Sequence, residues 1–306
     1  MRILVTGGAG FIGSHIVEHF QGKAEVRVLD NLRSGHLHNL KGVTCEFLKG
    51  SILNREVVRQ AMDGVEYVFH LAAMISVPES MQKPIECTEI NTVGTLVVLE
   101  EAARAHVKKL VFSSSAAIYG DNPTVPKVET MVPEPKSPYA ITKLDGEYYC
   151  RVFANEGQLP TACLRYFNVF GPRQDPQSQY AAVVPIFIER ALRNESIAIF
   201  GDGEQTRDFI YVKDIVAANA HFAVNPAFTG VYNIGYGHRM TVNDLARMIL
   251  KSANSNAPIQ YGPERAGDVK HSHAAINRLR ETGFVPAGSL EEGLRMTIRS
   301  WPGETN

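Results

Sequence analysis

The stretch Thr6-Gly7-Gly8-Ala9-Gly10-Phe11-Ile12-Gly13 constrains the fold of this chain more than any other feature. It follows an apolar run, Ile3-Leu4-Val5, and opens a helical pattern from Phe11 to Phe20. Glycine at positions 7, 10 and 13 permits a tight turn and lets the backbone approach a pyrophosphate. The helix N-terminus adds unpaired N–H groups and the positive end of its dipole. Strand, turn and helix in this order predict a dinucleotide site at the head of a βαβ unit. Asp30 closes the second apolar run, about 17 residues past Gly13. A carboxylate there accepts from a ribose 2′-hydroxyl and repels a 2′-phosphate, which favours NAD over NADP. Arg33 is the one nearby feature that would help NADP.

The first half keeps the same rhythm. Apolar runs at 26–30, 45–50, 66–72, 109–115 and 161–167 alternate with helical patterns at about 84–105 and 137–156. Strands alternating with helices predict a doubly wound, Rossmann-type α/β fold with a parallel sheet buried on both faces. After Asn168 the elements shorten, and Pro and Gly enter the loops at 171–176, 201–208 and 261–268. We therefore expect a dinucleotide-binding domain over 1–168 and a smaller α+β substrate domain over 169–306. The segment at about 206–224 reads as strand then helix and is expected to rejoin the first domain.

Composition excludes several other classes. The 306 residues hold 31 Lys+Arg against 32 Asp+Glu, a net charge of −1, unsuited to gripping nucleic acid or an anionic membrane. No apolar run approaches the roughly 20 residues that span a bilayer. The N-terminal run is broken by glycines and carries no cleavage pattern of a signal peptide. Cys45, Cys87, Cys150 and Cys163 form neither a C-x-x-C pair nor a His/Cys cluster. They read as free thiols of a cytoplasmic protein, with no metal site.

Tyr139 and Lys143 form a Y-x-x-x-K pair, one turn apart on a single helix face. An ammonium so placed is expected to lower the tyrosine pKa from about 10, making Tyr139 a general acid/base. Ser113-Ser114-Ser115 closes the fifth predicted strand at the carboxyl edge of the sheet, where open α/β folds bind ligands. A hydroxyl there can bridge Tyr139 and a substrate oxygen.

With glycine turn, serine and Y-x-x-x-K in order, the chain resembles the extended short-chain dehydrogenases/reductases, and within them the UDP-hexose 4-epimerases. The resemblance spans essentially the whole chain. It rests on TGGAGFIGSH (6–15), VLDNL (28–32), HLAA (70–73), NTVGT (91–95), VFSSSAAIYG (111–120), SPYAITK (137–143), LRYFNVFGPRQDP (164–176), GDGEQTRDFIYVKD (201–214), NIG (233–235) and RAGDVKHS (265–272). It implies that Ser115, Tyr139 and Lys143 are catalytic, with Tyr139 and Lys143 also touching NAD. It implies further NAD contacts from Gly7, Gly10, Phe11, Ile12, Gly13, Asp30, Asn31, Ser51, Ile52, Leu71, Ala72, Ala73, Asn91 and Tyr166. Many relatives carry an acid where Ser51 stands; a hydroxyl accepts from the adenine amino group without charge. Asn91 reads equally as a buried polar support.

On the substrate side the resemblance implies Ser115, Tyr139, Asn168 and Val183, Arg207 and Arg265 for the phosphates, Asp268 for the uridine ribose, and Ser272 beside the sugar 2-substituent. The small Ser272, with Ala181 and Ala182, leaves room for an acetamido group; the other reading of Ser272 is a cap on a helix starting near Ala274. The implied reaction is redox-neutral: a UDP-hexose is oxidised at C4 by held NAD, turns as a 4-keto sugar, and is reduced on its other face. A uronate 4-epimerase or decarboxylase on the same scaffold is the nearest alternative. A 4,6-dehydratase fits less well, because Ser115 is followed by Ala116-Ala117-Ile118 with no carboxylate. A reductase with exchangeable cofactor or a non-catalytic dinucleotide sensor fits less well still. By the same resemblance a homodimer is expected, through the long helix at 84–105 and the helix that carries Tyr139.

Overall fold

The computed structural model describes residues 1–176, 182–264 and 270–301. Its centre is a seven-stranded sheet, parallel throughout. In chain order the first six strands are β1 (Arg2–Thr6), β2 (Glu25–Asp30), β3 (Glu46–Lys49), β4 (Tyr67–His70), β5 (Lys109–Ser115) and β6 (Thr161–Tyr166). Across the sheet the order is β3, β2, β1, β4, β5, β6 and then Gly230–Ile234. The order reverses between β1 and β4, and that crevice is where a doubly wound sheet receives its ligand.

Both faces of the sheet are covered, as its near-continuous apolar strands require. Ile3, Val5 and Val28 point to the side of α1 (Phe11–Phe20) and the helix Val212–Val224. Leu4, Leu29 and Val68 point to the side of the helices Arg55–Ala61, Gly94–Arg104 and Pro138–Asn155. The helix Val212–Val224 packs beside α1. The sequence leaves Gly230–Ile234 in the smaller unit, but its parallel pairing with β6, Gly230 opposite Ala162, places it in the sheet. Five residues with no recognisable crossover gave no sign of that partnership.

A separate apolar cluster builds the smaller unit. Phe187, Ile188, Leu245, Ile249, Leu294 and Ile298 pack from three helices around the parallel pair Ile197–Phe200 and Ile259–Gly262. The helical pattern at 84–105 is interrupted by a π-helical turn, Glu89–Val93, between Pro84–Thr88 and Gly94–Arg104. All four cysteines are free, three of them buried. Among the described residues no helix is long and apolar enough to cross a membrane, and no His/Cys/Asp/Glu group could hold a metal.

Candidate active site

A cleft of about 610 Å³ opens at the β1/β4 crevice. Gly7, Gly10, Phe11, Ile12, Gly13, Asp30, Asn31, Ser51, Ile52, Leu71, Ala72, Ala73, Ser115, Tyr139, Lys143 and Tyr166 all line it. The glycine turn fits a dinucleotide on steric grounds. Gly7 has φ +72°, and a Cβ there would lie 2.8 Å from the Ala72 nitrogen. A Cβ on Gly13 would lie 2.2 Å from the Gly7 carbonyl oxygen. The turn is thus wedged between the ends of β1 and β4, and α1 starts hard against it. Gly10 caps α1 without any side-chain bond and the first turn holds no acid, so the helix terminus is free for an anion.

Asp30 supports the turn as well as facing the cleft. Its Oδ2 accepts from Ala9 N at 3.0 Å and its Oδ1 from Leu32 N at 2.8 Å. Arg33 also lines the cleft but is claimed by two carboxylates, Glu79 at 2.8 Å and Glu86. A guanidinium so neutralised is poorly placed to attract a 2′-phosphate, which removes the one sequence feature favouring NADP. Ser51 Oγ accepts from Leu53 N at 3.2 Å, closing a local turn.

The helix Pro138–Asn155, which carries Tyr139 and Lys143, is specified locally. Ser137 accepts from Ala140 N and Pro138 takes the first helical position, a strong start signal. The helix packs on the face of β5 that carries Phe112 and Ser114. Lys143, 4% exposed, donates from Nζ to the Ser113 carbonyl at 2.8 Å. Its Nζ lies 5.0 Å from the Phe112 ring centroid and 5.8 Å from that of Tyr139. Desolvation pulls the Lys143 amine down to about 8, leaving it mostly protonated at neutral pH. Tyr139 departs from expectation. Burial raises its phenol above the ordinary 10, and the bond with Ser115 only partly opposes this. Burial outweighs what the nearby Lys143 ammonium does for the phenolate.

Beneath Tyr139 and Lys143 lies an ion pair that the sequence does not reveal. Glu147, one turn past Lys143, binds Arg165 through both oxygens at 2.8 and 2.7 Å and accepts from Ser114 Oγ at 2.5 Å. Ser114 and Arg165 are register partners on β5 and β6. Arg165 continues to Tyr119 Oη at 2.9 Å, and Tyr119 donates to Asn233 Oδ1 at 2.6 Å. Two neighbouring residues of β5, Ser113 and Ser114, are thereby bonded to the catalytic helix, fixing its height against Ser115.

Asn91 takes the supporting role and does not line the cleft. Its side chain accepts from Met74 N at 2.7 Å and donates to Met74 O and to Thr142 Oγ1, both at 3.0 Å. The π-helical turn places this amide between the loop after β4 and the catalytic helix.

Among the residues expected to bind substrate, Asn168 lies between the cleft-lining Phe167 and Val169, but neither it nor Val183, Arg207 or Ser272 lines the cleft itself. Asn168 Nδ2 donates to the Asp208 carbonyl at 3.2 Å. Asp208 is fully buried and collects the N–H groups of Tyr236, Gly237 and Ala274. Arg207 precedes it and bonds the Thr206 carbonyl at 2.9 Å, while Ser272 N donates to that same carbonyl at 3.0 Å. Asn168, Arg207 and Ser272 are thus brought together. Ser272 caps no helix, since the next one begins at Asn277 behind Ile276. Val183 opens the helix Val183–Leu192, beside the cleft-lining Ala182. Arg265, Asp268 and Ala181 lie outside the described residues. The sequence also passed over Arg173, Gln174 and Asp175, which line the cleft from the Pro/Gly-rich loop after Phe170.

Comparison with known proteins agrees with this geometry. Residues 3–235 match the model of the NAD dependent epimerase/dehydratase family. A UDP-N-acetylglucosamine 4-epimerase from Methanobrevibacter ruminantium, solved with UDP-N-acetylmuramic acid, is 42% identical, with a TM-score of 0.95 over 98% of this chain and 97% of that one. A UDP-glucose 4-epimerase from Thermotoga maritima, solved with UDP-glucose, is 44% identical, with a TM-score of 0.93 over 98% of each chain. A UDP-glucose 4-epimerase from Thermus thermophilus, solved with NAD, is 38% identical, with a TM-score of 0.90 over the full length of both. With residues 3–235 matching that family's model, and a Ser-Tyr-Lys set in the same cleft as the glycine turn, the chain belongs to the NAD dependent epimerase/dehydratase family, among the extended short-chain dehydrogenases/reductases.

Proposed function

We propose that the chain interconverts the C4 epimers of UDP-hexoses, UDP-Glc with UDP-Gal and UDP-GlcNAc with UDP-GalNAc, through a transient 4-keto sugar. The observation that carries this reading is the convergence of Ser115, Tyr139 and Lys143 on the cleft that holds the glycine turn. Ala116, Ala117 and Ile118 follow Ser115, so no acid stands where elimination of water would need one. When bound against the glycine turn and Asp30, NAD would supply hydride chemistry at the reacting carbon and, in its oxidised form, positive charge in the cleft. Positive charge there favours the phenolate and offsets the rise that burial imposes on Tyr139. Tyr139 takes the proton of the sugar 4-hydroxyl and later gives it back, while Ser115 holds that oxygen. Lys143, anchored on the Ser113 carbonyl, keeps a second charge close to the Tyr139 ring.

Between the two half-reactions the sugar must turn while its nucleotide stays fixed. We assign that anchoring to Asn168, Val183, Arg207, Arg265 and Asp268, with the guanidinium forks suited to a diphosphate. The division of labour follows the chain: cofactor binding over 1–168 with the helix and strand that rejoin it, sugar-nucleotide binding in the rest. We further infer a homodimer. Met81, Ile85, Val93, Ile141, Tyr148 and Val152 are 44–75% exposed on the helices that surround the catalytic one and on its own outer face. Apolar side chains grouped in this way suit a second copy of the same chain. The free cysteines suit a cytoplasmic location.

NMR of the purified protein incubated separately with UDP-Glc, UDP-GlcNAc and UDP-GlcA tests the reading. The C4 epimer is expected from the first two. Conversion of UDP-GlcA alone, or loss of its carboxylate, would replace the reading with the uronate alternative.

A further inference from the structure

The loop that follows Phe170, Gly-Pro-Arg-Gln-Asp-Pro at 171–176, leads into the smaller unit; Gln174 Nε2 donates to the Val169 carbonyl at 3.3 Å, while Pro172 and Arg173 bond to α1. His15 Nε2 lies 2.9 Å from the Pro172 carbonyl. A carbonyl only accepts, so the proton sits on Nε2, and burial keeps the ring neutral by holding its pKa down to about 4. Arg173 donates from Nη1 to Ser14 Oγ at 3.2 Å and from Nη2 to Glu18 Oε2 at 2.7 Å. Lys213 joins the same Glu18 oxygen at 3.3 Å. Ser14, His15 and Glu18 belong to the helix whose first turn the glycines open. Arg173, Gln174 and Asp175 line the same cleft as Gly10, Phe11, Ile12 and Gly13. The backbone at Arg173 is strained, with φ +67°, a region L-residues other than Asn and Asp seldom adopt. Such a conformation persists only where its surroundings hold it, and it concentrates at ligand clamps and switches.

We propose that residues 171–175 form a clasp that keeps the dinucleotide in its cleft, fastened by Arg173 on Ser14 and Glu18 and by Pro172 on His15. The proposal rests on the epimerase reading. A hydride that leaves C4 must return to the same sugar, so a cofactor that escapes in mid-cycle strands a ketone. The clasp joins the wall leading into the smaller unit to the helix that receives the pyrophosphate, so the nucleotide leaves only when these ties open. Because Glu18 and Ser14 do not line the cleft, they act on the cofactor only through Arg173, as positioning residues.

The test is the rate at which bound NAD exchanges for deuterium-labelled NAD, followed by mass spectrometry on the purified holoenzyme. Arg173→Gly suits the left-handed backbone, so it keeps the loop path while deleting the guanidinium. Glu18→Gln removes the ion pair without touching the cleft. Each is expected to speed exchange about tenfold or more, and the double variant to be no faster than the faster single, because both cut one tie. Melting temperatures at saturating NAD are expected to stay within about 2 °C of wild type. Exchange in Glu18→Gln within twofold of wild type overturns the clasp, even if Arg173→Gly is fast, since Arg173 would then act by direct contact. A melting temperature that falls in step with the faster exchange also overturns it, showing general loosening. Wild-type protein that exchanges its NAD completely during one gel-filtration run instead brings down the underlying reading of a held cofactor.

Discussion

Alanine at Gly13 and alanine at Gly10 should fail in different ways. On Gly13 the new Cβ would lie 2.2 Å from Gly7 O, 2.8 Å from Gly8 Cα and 2.9 Å from Gly7 C. Even weak C–H···O contacts keep carbon and oxygen about 3.3 Å apart, so something must move by about 1 Å. The turn cannot retreat. Gly7 N is bonded to Leu29 O at 2.8 Å, and its Cα backs onto Ala72. The helix must move instead, taking with it the buried Ile16, Val17 and Phe20. Overpacking against backbone of this kind costs about 1–3 kcal/mol or more. At about 2 °C per kcal/mol for a chain of this size, Gly13→Ala should melt about 2–6 °C lower. It should also bind NAD at least about tenfold more weakly, since the displaced helix start no longer meets the phosphates (~1.4 kcal/mol). On Gly10 the Cβ meets only Gly7 O, at 3.2 Å, which a few tenths of an ångström relieve. Gly10 lines the cleft, so its methyl group takes cofactor space while the fold stands. Gly10→Ala should therefore melt within about 1 °C of wild type when cofactor-free, yet lose NAD. Thermal melts with and without NAD, together with chromatographic NAD content, separate the two. A Gly13→Ala protein that melts and binds like wild type would refute the steric argument, as would a Gly10→Ala protein that melts as low as Gly13→Ala.

Four further outcomes are expected. Tyr139→Phe should keep its NAD but lose roughly 10²–10⁴ in turnover, and a loss below about tenfold would assign the proton transfer to another group. Asp30→Ala, with a nearby residue made basic, should shift preference toward NADP, measured by competitive binding; wild-type protein that purifies with NADP(H) would contradict the role of Asp30. Ser272→Tyr should cost acetamido-sugar turnover about 10–100-fold while plain hexose turnover survives, and equal loss of both would make Ser272 structural. His15 and His70 are buried, with pKa values lowered to about 4 and about 3, so below about pH 6.5 the unfolded chain takes up protons that the folded one refuses. Unfolding free energy should therefore fall as pH drops from about 6.5 to 5, by up to ~1.4 kcal/mol per pH unit for each histidine, as urea titrations at pH 7, 6 and 5 would show; a flat profile would contradict the two shifts.

The sequence exposes this fold where local chemistry dictates it. Gly7 and Gly13 are legible because no other residue fits those positions, and Tyr139 and Lys143 because helical spacing puts them on one face. The start of the catalytic helix is legible in Ser137-Pro138. What stays hidden depends on partners far along the chain. Glu147 looks like a surface charge until Arg165 and Ser114 are folded against it. Arg33 looks available until Glu79 and Glu86, 46 and 53 residues away, close on it. The Tyr139 pKa is hidden for a related reason: spacing shows that Lys143 is near, but not how deeply the fold buries the phenol.

The seventh strand has a consequence for synthesis. Some 64 residues separate the end of β6 at Tyr166 from Gly230, so the ribosome must make the helix Val183–Leu192 and the strand Ile197–Phe200 of the smaller unit before the sheet can be completed. At about 5–20 residues per second, the outer edge of β6 waits several seconds with its N–H and C=O groups unpaired. Ala162, Cys163, Leu164 and Tyr166 of that strand are buried in the finished protein, so apolar side chains flank the unpaired edge. A fragment ending near residue 168 would carry this open edge permanently. It should accumulate as aggregate.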